Sequence, residues 1–235
     1  DGFIFPAYDQ ITTQLAKVSY RSAGRVQVPI VIRVPYGGGI GAVEHHSESP
    51  EALFAHTPGL RVVTPATPAD AFAMIQQAIL SPDPVLFFEP KARYWDKGEV
   101  DVDADDATLG LVPGPDGLAP GVTGLERARV VVPGTDVTVA AYGPTVKTAL
   151  AAAKVAGEEG RSIEGIDLRS VSPLDVDTVA ESVGRPGRLV VVHEAPTFFG
   201  AGAELAAAVT ERCFYSMQAP VLRVGGFHTP YPVAK

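Results

Sequence analysis

The sequence is short of cysteine, of positive charge and of long apolar runs, and each shortage excludes a class of protein. Cys213 is the one cysteine, so no intrachain disulfide can form and a reducing, cytosol-like compartment is expected. The 19 basic and 27 acidic residues give a net charge of −8, which argues against nucleic acid or an anionic membrane as the main partner. Apolar runs such as residues 201–209 are interrupted by Gly202 and Glu204 and fall short of the roughly 20 residues of a membrane helix. The composition therefore predicts a soluble globular protein.

What the sequence does contain is a repeated alternation of strand and helix patterns. With 46% apolar residues, the 235-residue chain can bury one large core or two ordinary ones. Apolar β-branched runs predict strands and amphipathic or alanine-rich segments predict helices, an alternation typical of parallel sheets. The predicted strands are 29–34, 60–63, 84–88, 137–141, 163–168, 189–193 and 221–224, and the predicted helices are 5–20, 68–80, 145–159, 176–183 and 201–212.

The segment between the two halves is rich in aspartate, glycine and proline. It predicts a linker over 96–125, between an α/β domain at 1–95 and a second one at 126–235. The linker holds an acid cluster of Asp101, Asp103, Asp105 and Asp106. We interpret this cluster as a solvated loop rather than a calcium site, because the strict loop pattern with a closing glutamate is missing. The predicted fold is therefore two open α/β domains in series.

The densest set of reactive side chains lies just after the strand at 29–34. Glycines 37–39 follow it and allow backbone conformations that other residues resist. His45 and His46 come next, on a strand-to-helix loop of the kind where open α/β sheets usually bind ligands. A histidine there can exchange protons near neutral pH. The pattern alone is equally compatible with a surface loop that carries two solvated histidines.

The helix after the histidines has an ordinary start pattern. We expect Ser47 or Ser49 to cap it, with Pro50 and Glu51 in its first turn. Thr67 and a proline in the first turn predict the start of the helix at 68–80 in the same way.

Several ordered segments carry a resemblance that extends over nearly the whole chain. They are FIFPAYDQ at 3–10, GGG at 37–39, HSESPE at 46–51, FAHTPGL at 54–60, FFEPK at 87–91, IDLR at 166–169, HEAP at 193–196 and TPYP at 229–232. Together they resemble the β subunit of the thiamine-diphosphate-dependent 2-oxoacid dehydrogenases, and most of all the branched-chain (2-oxoisovalerate) members. The resemblance implies a partial transketolase-like pyrimidine-binding domain followed by a transketolase carboxy-terminal-like domain.

The resemblance also implies the chemistry and the partners of an oxidoreductase in a multienzyme complex. Such β subunits form α2β2 heterotetramers, in which the α subunit holds the diphosphate and Mg of thiamine diphosphate and the β subunit supplies the pyrimidine side. The 2-oxoacid loses carbon dioxide, and its acyl group passes to a lipoyl arm of an acyltransferase core. By motif match, His46 is the implied catalytic proton carrier, and Phe3 is the implied contact of the aminopyrimidine ring. An ordinary core phenylalanine is the alternative for Phe3.

A potassium (K) site is implied by the same resemblance, built mainly from backbone carbonyls. Its positions are Val28, Ile30, Val31, Ala78, Ser81 and Asp83. Asp83 precedes Pro84 and is equally compatible with a turn before a strand. For His193, His228 and His56 a structural role is favoured, and no pair of histidines has a third ligand at zinc spacing.

Two departures from the family pattern bear on activity. Glu48 stands where the family usually has glutamine. The chain opens on Asp1 and Gly2, so against the family pattern it is expected to lack the opening part of the subunit and a final helical tail. The glutamate that activates the aminopyrimidine is expected in that missing part. We therefore predict that this chain alone neither binds the cofactor tightly nor turns over.

The resemblance leaves alternatives for the substrate and for the role of the chain. Pyruvate is the alternative substrate, because pocket shape depends partly on residues of the α subunit. A transketolase-type or deoxyxylulose-phosphate synthase enzyme is disfavoured by the HHSESP run at 45–50. A different hypothesis is an inactive fragment that serves only in subunit assembly and docking. The implied location is the bacterial cytoplasm, or the mitochondrial matrix in a eukaryote.

Overall fold

The computed structural model describes residues 1–113, 117–119 and 121–232. Strands β1 to β9 span Val31–Tyr36, Arg61–Val63, Val85–Pro90, Arg129–Val132, Val137–Ala141, Ile163–Asp167, Ser170–Ser172, Leu189–Pro196 and Leu222–Gly226. Helices α1 to α6 span Val18–Arg21, Glu51–Ala55, Pro68–Ile79, Thr145–Glu158, Val176–Val183 and Ala201–Cys213. Residues 114–116 and 120 of the predicted linker and 233–235 of the second predicted domain lie outside the described residues.

The first sheet has the strand order β1-β3-β2-β7. Strands β1, β3 and β2 pair in parallel, and β7 pairs with β2 in the antiparallel sense. Side chains alternate between the two faces, so Tyr36 and Phe88 pack with Phe54 of α2, whereas Phe87 packs with Met74 of α3. Both faces of β2 and β3 are covered, so these two strands are almost wholly buried, whereas Arg33 and Pro35 of the edge strand β1 are exposed.

The second sheet has the strand order β4-β6-β5-β8-β9 and is parallel except for β4. Helix α4 covers one face, where Val146 packs with Val139. Helices α5 and α6 cover the other face, where Val179 and Leu205 are fully buried. The predicted α/β class is confirmed, but each sheet is mixed rather than wholly parallel, because one antiparallel strand lies at its edge.

Most predicted elements are confirmed, several with the predicted bounds. Helix α3 begins after Thr67, whose hydroxyl accepts a hydrogen bond from the N–H of Asp70 at 3.1 Å, and Pro68 takes the first helical position. Strands β4 and β7 were not predicted from the sequence. Strand β7 contains no apolar run, and its pairing with β2 depends on contacts that only the complete fold brings together.

The first helical segment is irregular, so the prediction of one regular helix over 5–20 is wrong. It consists of a 3₁₀ helix Gly2–Ala7, a π-helix Gln10–Gln14, a 3₁₀ helix Leu15–Lys17 and then α1. The hydroxyls of Thr12 and Thr13 donate to backbone carbonyls four residues earlier, each at 2.8 Å. Such bonds compete with a regular helical ladder. Ile11 is nonetheless buried, so the segment keeps the apolar face that the periodicity predicted.

The two sheets share one apolar core. Phe54 and Phe88, beside the first sheet, belong to the same buried cluster as Ile166 and Leu205 of the second. Strand β7 adds a further link, because it follows β6 of the second sheet and joins the first. The exact residue bounds of the two predicted domains stay a prediction. In the part of the chain that the structure describes, no helix combines the length and the apolar character needed to cross a bilayer.

Candidate functional site

The glycine segment after β1 turns sharply and lies against the second half of the chain. Gly37 and Gly39 have φ angles of +80° and +81°, in the left-handed region that favours glycine. The N–H of Gly38 donates to Oε1 of Glu194 at 2.5 Å, and a β-carbon on Gly37 would lie 2.8 Å from the same oxygen. A β-carbon on Gly38 would overlap the ring of Tyr231. Both the turn and the close approach of distant segments therefore require glycine here.

His45 and His46 lie on one 3₁₀ turn, Glu44–His46, in the loop that follows β1. Both residues are exposed, and both rings contact Phe3, with ring centroids 4.4 Å apart for His45 and 5.1 Å apart for His46. Phe3 is 62% exposed, so the alternative of a core phenylalanine is wrong and its ring is open to a ligand. The structure thus brings the predicted proton carrier and the predicted cofactor contact together, while their roles stay predictions.

The predicted serine cap of the next helix is wrong. Helix α2 begins after Pro50, which occupies the N-cap position without a side-chain hydrogen bond from any described residue. The hydroxyl of Ser47 instead donates to the Ala42 carbonyl at 3.3 Å. The hydroxyl of Ser49 is buried with no hydrogen-bond partner in the described ranges. Because Pro50 stands at the cap position, Ser47 and Ser49, three residues and one residue before it, belong to the loop.

Glu51, which the sequence pattern predicts as an ordinary first-turn residue, is a buried acid at the start of α2. Its Oε1 accepts a hydrogen bond from the hydroxyl of Tyr142 at 2.8 Å, and Oε2 has no partner among the residues described. Burial, with a smaller contribution from the negative charge of Glu194, raises the pKa of this carboxyl to about 7. The hydroxyls of Tyr36 and Thr64 lie 3.0 Å apart, and burial raises the pKa of Tyr36 well above its ordinary value. The site therefore rests on a buried polar layer between the two sheets.

His193 belongs to the same layer. It is 1% exposed, its Nδ1 lies 2.8 Å from the carbonyl of Ala195, and its ring stacks on Tyr142 with centroids 5.9 Å apart. A β-carbon on Gly200 or Gly202 would lie within 2.7 Å of the imidazole. Burial lowers the pKa of His193, so the ring is neutral at neutral pH. This environment fits the structural role that the sequence favoured.

A second polar cluster, also missed from the sequence, links α3 to the second sheet. Asp70 is 3% exposed and lies 3.2 Å from Nε of Arg169 and 2.6 Å from a guanidinium nitrogen of Arg129. The hydroxyl of Thr67 also donates to this carboxylate, at 2.7 Å. Burial, and then the charge of Asp70, raises the pKa of Asp167 to about 7. Arg169 has φ +58°, so the cluster holds a strained backbone position.

The predicted potassium positions lie side by side in the fold. Val28 and Ile30 precede β1 and Val31 begins it, whereas Ala78 lies at the end of α3 and Ser81 and Asp83 lie in the turn after that helix. The N–H of Val28 donates to the carbonyl of Pro82 at 2.9 Å. Oδ2 of Asp83 accepts two hydrogen bonds from Arg61, at 2.7 and 3.2 Å. Potassium coordination here stays a prediction, and the described residues hold no group of three acidic, histidine or cysteine side chains arranged for a metal.

A cavity of about 430 Å³ opens on the face of the first sheet that carries α3. Its lining includes Arg33, Thr67, Phe87, Glu89 and Tyr94. The hydroxyl of Tyr94 donates to Glu89 at 2.8 Å, and Glu89 also pairs with Arg33. None of its lining residues belongs to the histidine loop or to the segment that carries Phe3. The cavity is therefore separate from the candidate site.

Both halves of the chain match known protein families. Residues 2–96 match the family described as "Transketolase, pyrimidine binding domain", and residues 126–235 match "Transketolase, C-terminal domain". The whole chain is 55% identical to the pyruvate dehydrogenase E1 component subunit beta of Leifsonia xyli subsp. xyli. It is 48% identical to the 3-methyl-2-oxobutanoate dehydrogenase subunit beta of Mycobacterium tuberculosis. The chain spans 65% and 63% of the length of these two relatives.

A solved structure described as a split gene transketolase, an inactive β4 tetramer, has a similar fold. Its TM-score is 0.71 at 24% identity, over 97% of this chain and 65% of that one, and at this identity the likeness shows the fold alone. The family matches and the relatives show the family of the chain as well as its fold. The chain belongs to the family of β subunits of the thiamine-diphosphate-dependent 2-oxoacid dehydrogenases, which are built from transketolase-type domains. The resemblance to the β subunits of these dehydrogenases is thereby confirmed, whereas the particular likeness to the branched-chain members stays a prediction.

Proposed function

We propose that this chain supplies the pyrimidine side of a thiamine-diphosphate site in a 2-oxoacid dehydrogenase. The observation that carries the proposal is the contact between the exposed ring of Phe3 and the imidazole of His46. This pair lies beside the loop that follows β1, and open α/β sheets bind ligands outside the carboxyl ends of their strands. The proposed reaction is the oxidative decarboxylation of a 2-oxoacid, with transfer of the acyl group to the lipoyl group of an acyltransferase.

The side chains present fit the pyrimidine half of that cofactor. The exposed ring of Phe3 offers an apolar face to a heteroaromatic ring, and the exposed imidazole of His46 can exchange protons beside it. When bound, thiamine diphosphate supplies the carbanion chemistry that decarboxylation needs. We assign its diphosphate and Mg to the proposed α partner, as the family resemblance implies.

His46 is the proposed proton carrier. Its exposed ring can hold a proton at the carbonyl oxygen of the substrate and later deliver one to the lipoyl sulfur. Phe3 restricts the imidazole on one side through ring contact. The carbonyl of Glu48, two residues further on, accepts a hydrogen bond from the N–H of Gly37 at 2.9 Å, which closes the base of the loop. These contacts limit the positions that the imidazole can take.

For the substrate we propose a branched-chain 2-oxoacid such as 2-oxoisovalerate. Support comes from the glycine run at 37–39 and the FFEPK segment at 87–91, whose pattern resembles the branched-chain members. Pyruvate is the second candidate. It is favoured by the 55% identity to a pyruvate dehydrogenase β subunit, against 48% to a 3-methyl-2-oxobutanoate dehydrogenase β subunit.

The proposed assembly also follows the family. It is an α2β2 heterotetramer that docks on a lipoyl acyltransferase core, in the bacterial cytoplasm or the mitochondrial matrix. We further propose the potassium site at the six positions named above, and the division into domains 1–95 and 126–235 joined by a linker over 96–125. The matched ranges of the two families support that division.

The test is 2-oxoacid-dependent dye reduction by the protein that contains this chain, co-purified with its α partner and supplied with thiamine diphosphate and Mg²⁺. We expect His46→Ala to lower kcat about 100-fold or more, the range typical for loss of a general acid or base. His56→Ala, another exposed histidine, is the matched control. A preference for pyruvate over 2-oxoisovalerate would make pyruvate the assigned substrate. A fully active His46→Ala variant would refute the assignment of His46 as proton carrier.

A further inference from the structure

The loop that carries His46 is attached at both ends to the second sheet. At its start, the N–H of Gly38 donates to Oε1 of Glu194 at 2.5 Å. At its end, the hydroxyl of Tyr142 donates to Oε1 of Glu51 at 2.8 Å. Gly38 comes just after β1, and Glu51 is the first residue of α2. The histidine turn therefore lies between two fixed points.

Both attachments come from the same end of the second sheet. Tyr142 directly follows β5 and Glu194 lies near the end of β8, and these strands are parallel neighbours. Tyr142 is 1% exposed, and its ring stacks on His193, the residue before Glu194, at an interplanar angle of 19°. The two hydrogen-bonding groups are therefore fixed relative to one another by buried packing.

The two attachments are hydrogen bonds, and loss of either would have a high cost in free energy. Glu51 is 0% exposed, so without the Tyr142 hydroxyl its carboxyl would lack a side-chain partner within the described part of the chain. A buried polar group without a partner is costly. The bond from Gly38 ends on a carboxylate, and such charge-assisted bonds are roughly twice as strong as neutral ones.

We propose that Glu194 and Tyr142 are positioning residues that hold the two ends of this loop, so that His46 stays against Phe3. They act on His46 through Gly38 and Glu51 rather than by touching the reacting atoms. The HEAP motif, which the proposed reaction does not use, thereby gains a role. The catalytic consequence rests on the proposed function of His46, whereas the attachment of the loop does not.

The first test is amide hydrogen exchange, followed residue by residue in the protein that contains this chain. In Glu194→Ala we expect the Gly38 amide to exchange about 10- to 100-fold faster, the range that loss of a bond to a charged group predicts. In Tyr142→Phe we expect faster exchange of the amides of α2. Glu194→Gln keeps an acceptor oxygen in place but loses the charge, and it should restore part of the protection. Glu211→Gln and Tyr215→Phe, both exposed, are the matched controls.

Exchange in β5 and α4 separates a local effect from a general loss of stability. Faster exchange in the loop, with protection kept in those two elements, supports the proposal. Unchanged exchange at Gly38 and in α2 would overturn it, and so would equal acceleration throughout the second sheet. If Glu194→Ala does not fold, Glu194→Asp withdraws the oxygen from Gly38 with a smaller change and is measured in its place.

The second test separates this proposal from the proposed function. In the assembled enzyme we expect Glu194→Ala to lower kcat about 10- to 100-fold, as small misplacements of catalytic groups do, with a smaller change in KM. Glu194→Gln should recover part of that loss. An active His46→Ala variant would refute the proposed function and leave the exchange result standing. A wild-type kcat in Glu194→Ala, despite a faster-exchanging loop, would refute the positioning role alone.

Discussion

Glutamine in place of Glu51 should make this protein more stable at neutral pH. Burial raises the pKa of the Glu51 carboxyl from 4.5 to about 7, with a smaller contribution from the charge of Glu194. Because the folded-state pKa lies above the unfolded one, the folded chain binds more protons between these two values. Stability therefore falls as the pH rises from 4.5 to 7 and stays lower above that range. At about 1.4 kcal/mol per pKa unit, the full loss is about 3 kcal/mol.

Glu51→Gln removes this titration and keeps an oxygen that can accept the hydrogen bond from Tyr142. We expect wild type and variant to be equally stable near pH 4.5, and the variant to be about 3 kcal/mol more stable at pH 8. Urea unfolding followed by circular dichroism at a series of pH values measures the difference. Glu211→Gln, an exposed change on α6, is the control for the substitution itself.

The comparison between the two proteins is needed because other buried acids titrate in the same range. Burial and the charge of Asp70 also raise the pKa of Asp167 to about 7, and its contribution cancels in the difference. In the described part of the chain, Tyr36, Tyr142 and Glu194 are titratable groups that act on Glu51. A stability difference that is the same at pH 4.5 and pH 8 would refute the reasoning, because Glu51 would then have the same pKa in both states.

Two further predictions come from the packing, and a third comes from the family resemblance. Asp70→Ala should lower the free energy of unfolding by about 3–5 kcal/mol, because it leaves Arg169 buried without its carboxylate. Asp177→Ala, in an exposed ion pair, should cost no more than about 1 kcal/mol, and equal effects in denaturant unfolding would contradict the role of burial. Gly38→Ala should lower the melting temperature because its methyl group overlaps the Tyr231 ring, and Tyr231→Ala in the same chain should relieve the loss; no relief would contradict the steric explanation. Calorimetric titration of thiamine diphosphate with Mg²⁺ into this chain alone should show no micromolar binding, and micromolar binding would contradict our prediction that the chain does not bind the cofactor tightly by itself.

The fold could be predicted from the sequence wherever local signals agreed with the final packing. Helix α3 has a threonine cap, a proline at its first position and an apolar face, and β5 is a buried apolar run. Strand β7 has neither signal, because its three residues pair with β2 only after distant parts of the chain meet. The prediction of one regular helix over 5–20 failed for the opposite reason. The hydroxyls of Thr12 and Thr13 compete locally with a helix that the apolar periodicity favours.

In the candidate site, too, some residues could be predicted from the sequence and others could not. His46 and Phe3 could be named from motifs, and the structure places their rings 5.1 Å apart. The bond from Tyr142 to Glu51 joins residues 91 positions apart. A glutamate in the first turn of a helix is ordinarily an exposed partner of the helix dipole, so nothing in the local pattern marks Glu51 as buried. Contacts of this separation cannot be read from one sequence.

Strand β7 sets a condition on the order in which the chain can fold during synthesis. The edge of β2 stays unpaired until residues 170–172 have been made, about 110 residues after Val63. At a synthesis rate of about 5–20 residues per second, the growing chain exposes that edge for on the order of ten seconds. Through this interval the first half of the protein carries an open strand edge, a template for wrong pairing with another chain. Slow translation of residues 96–172 should therefore increase the demand for chaperones.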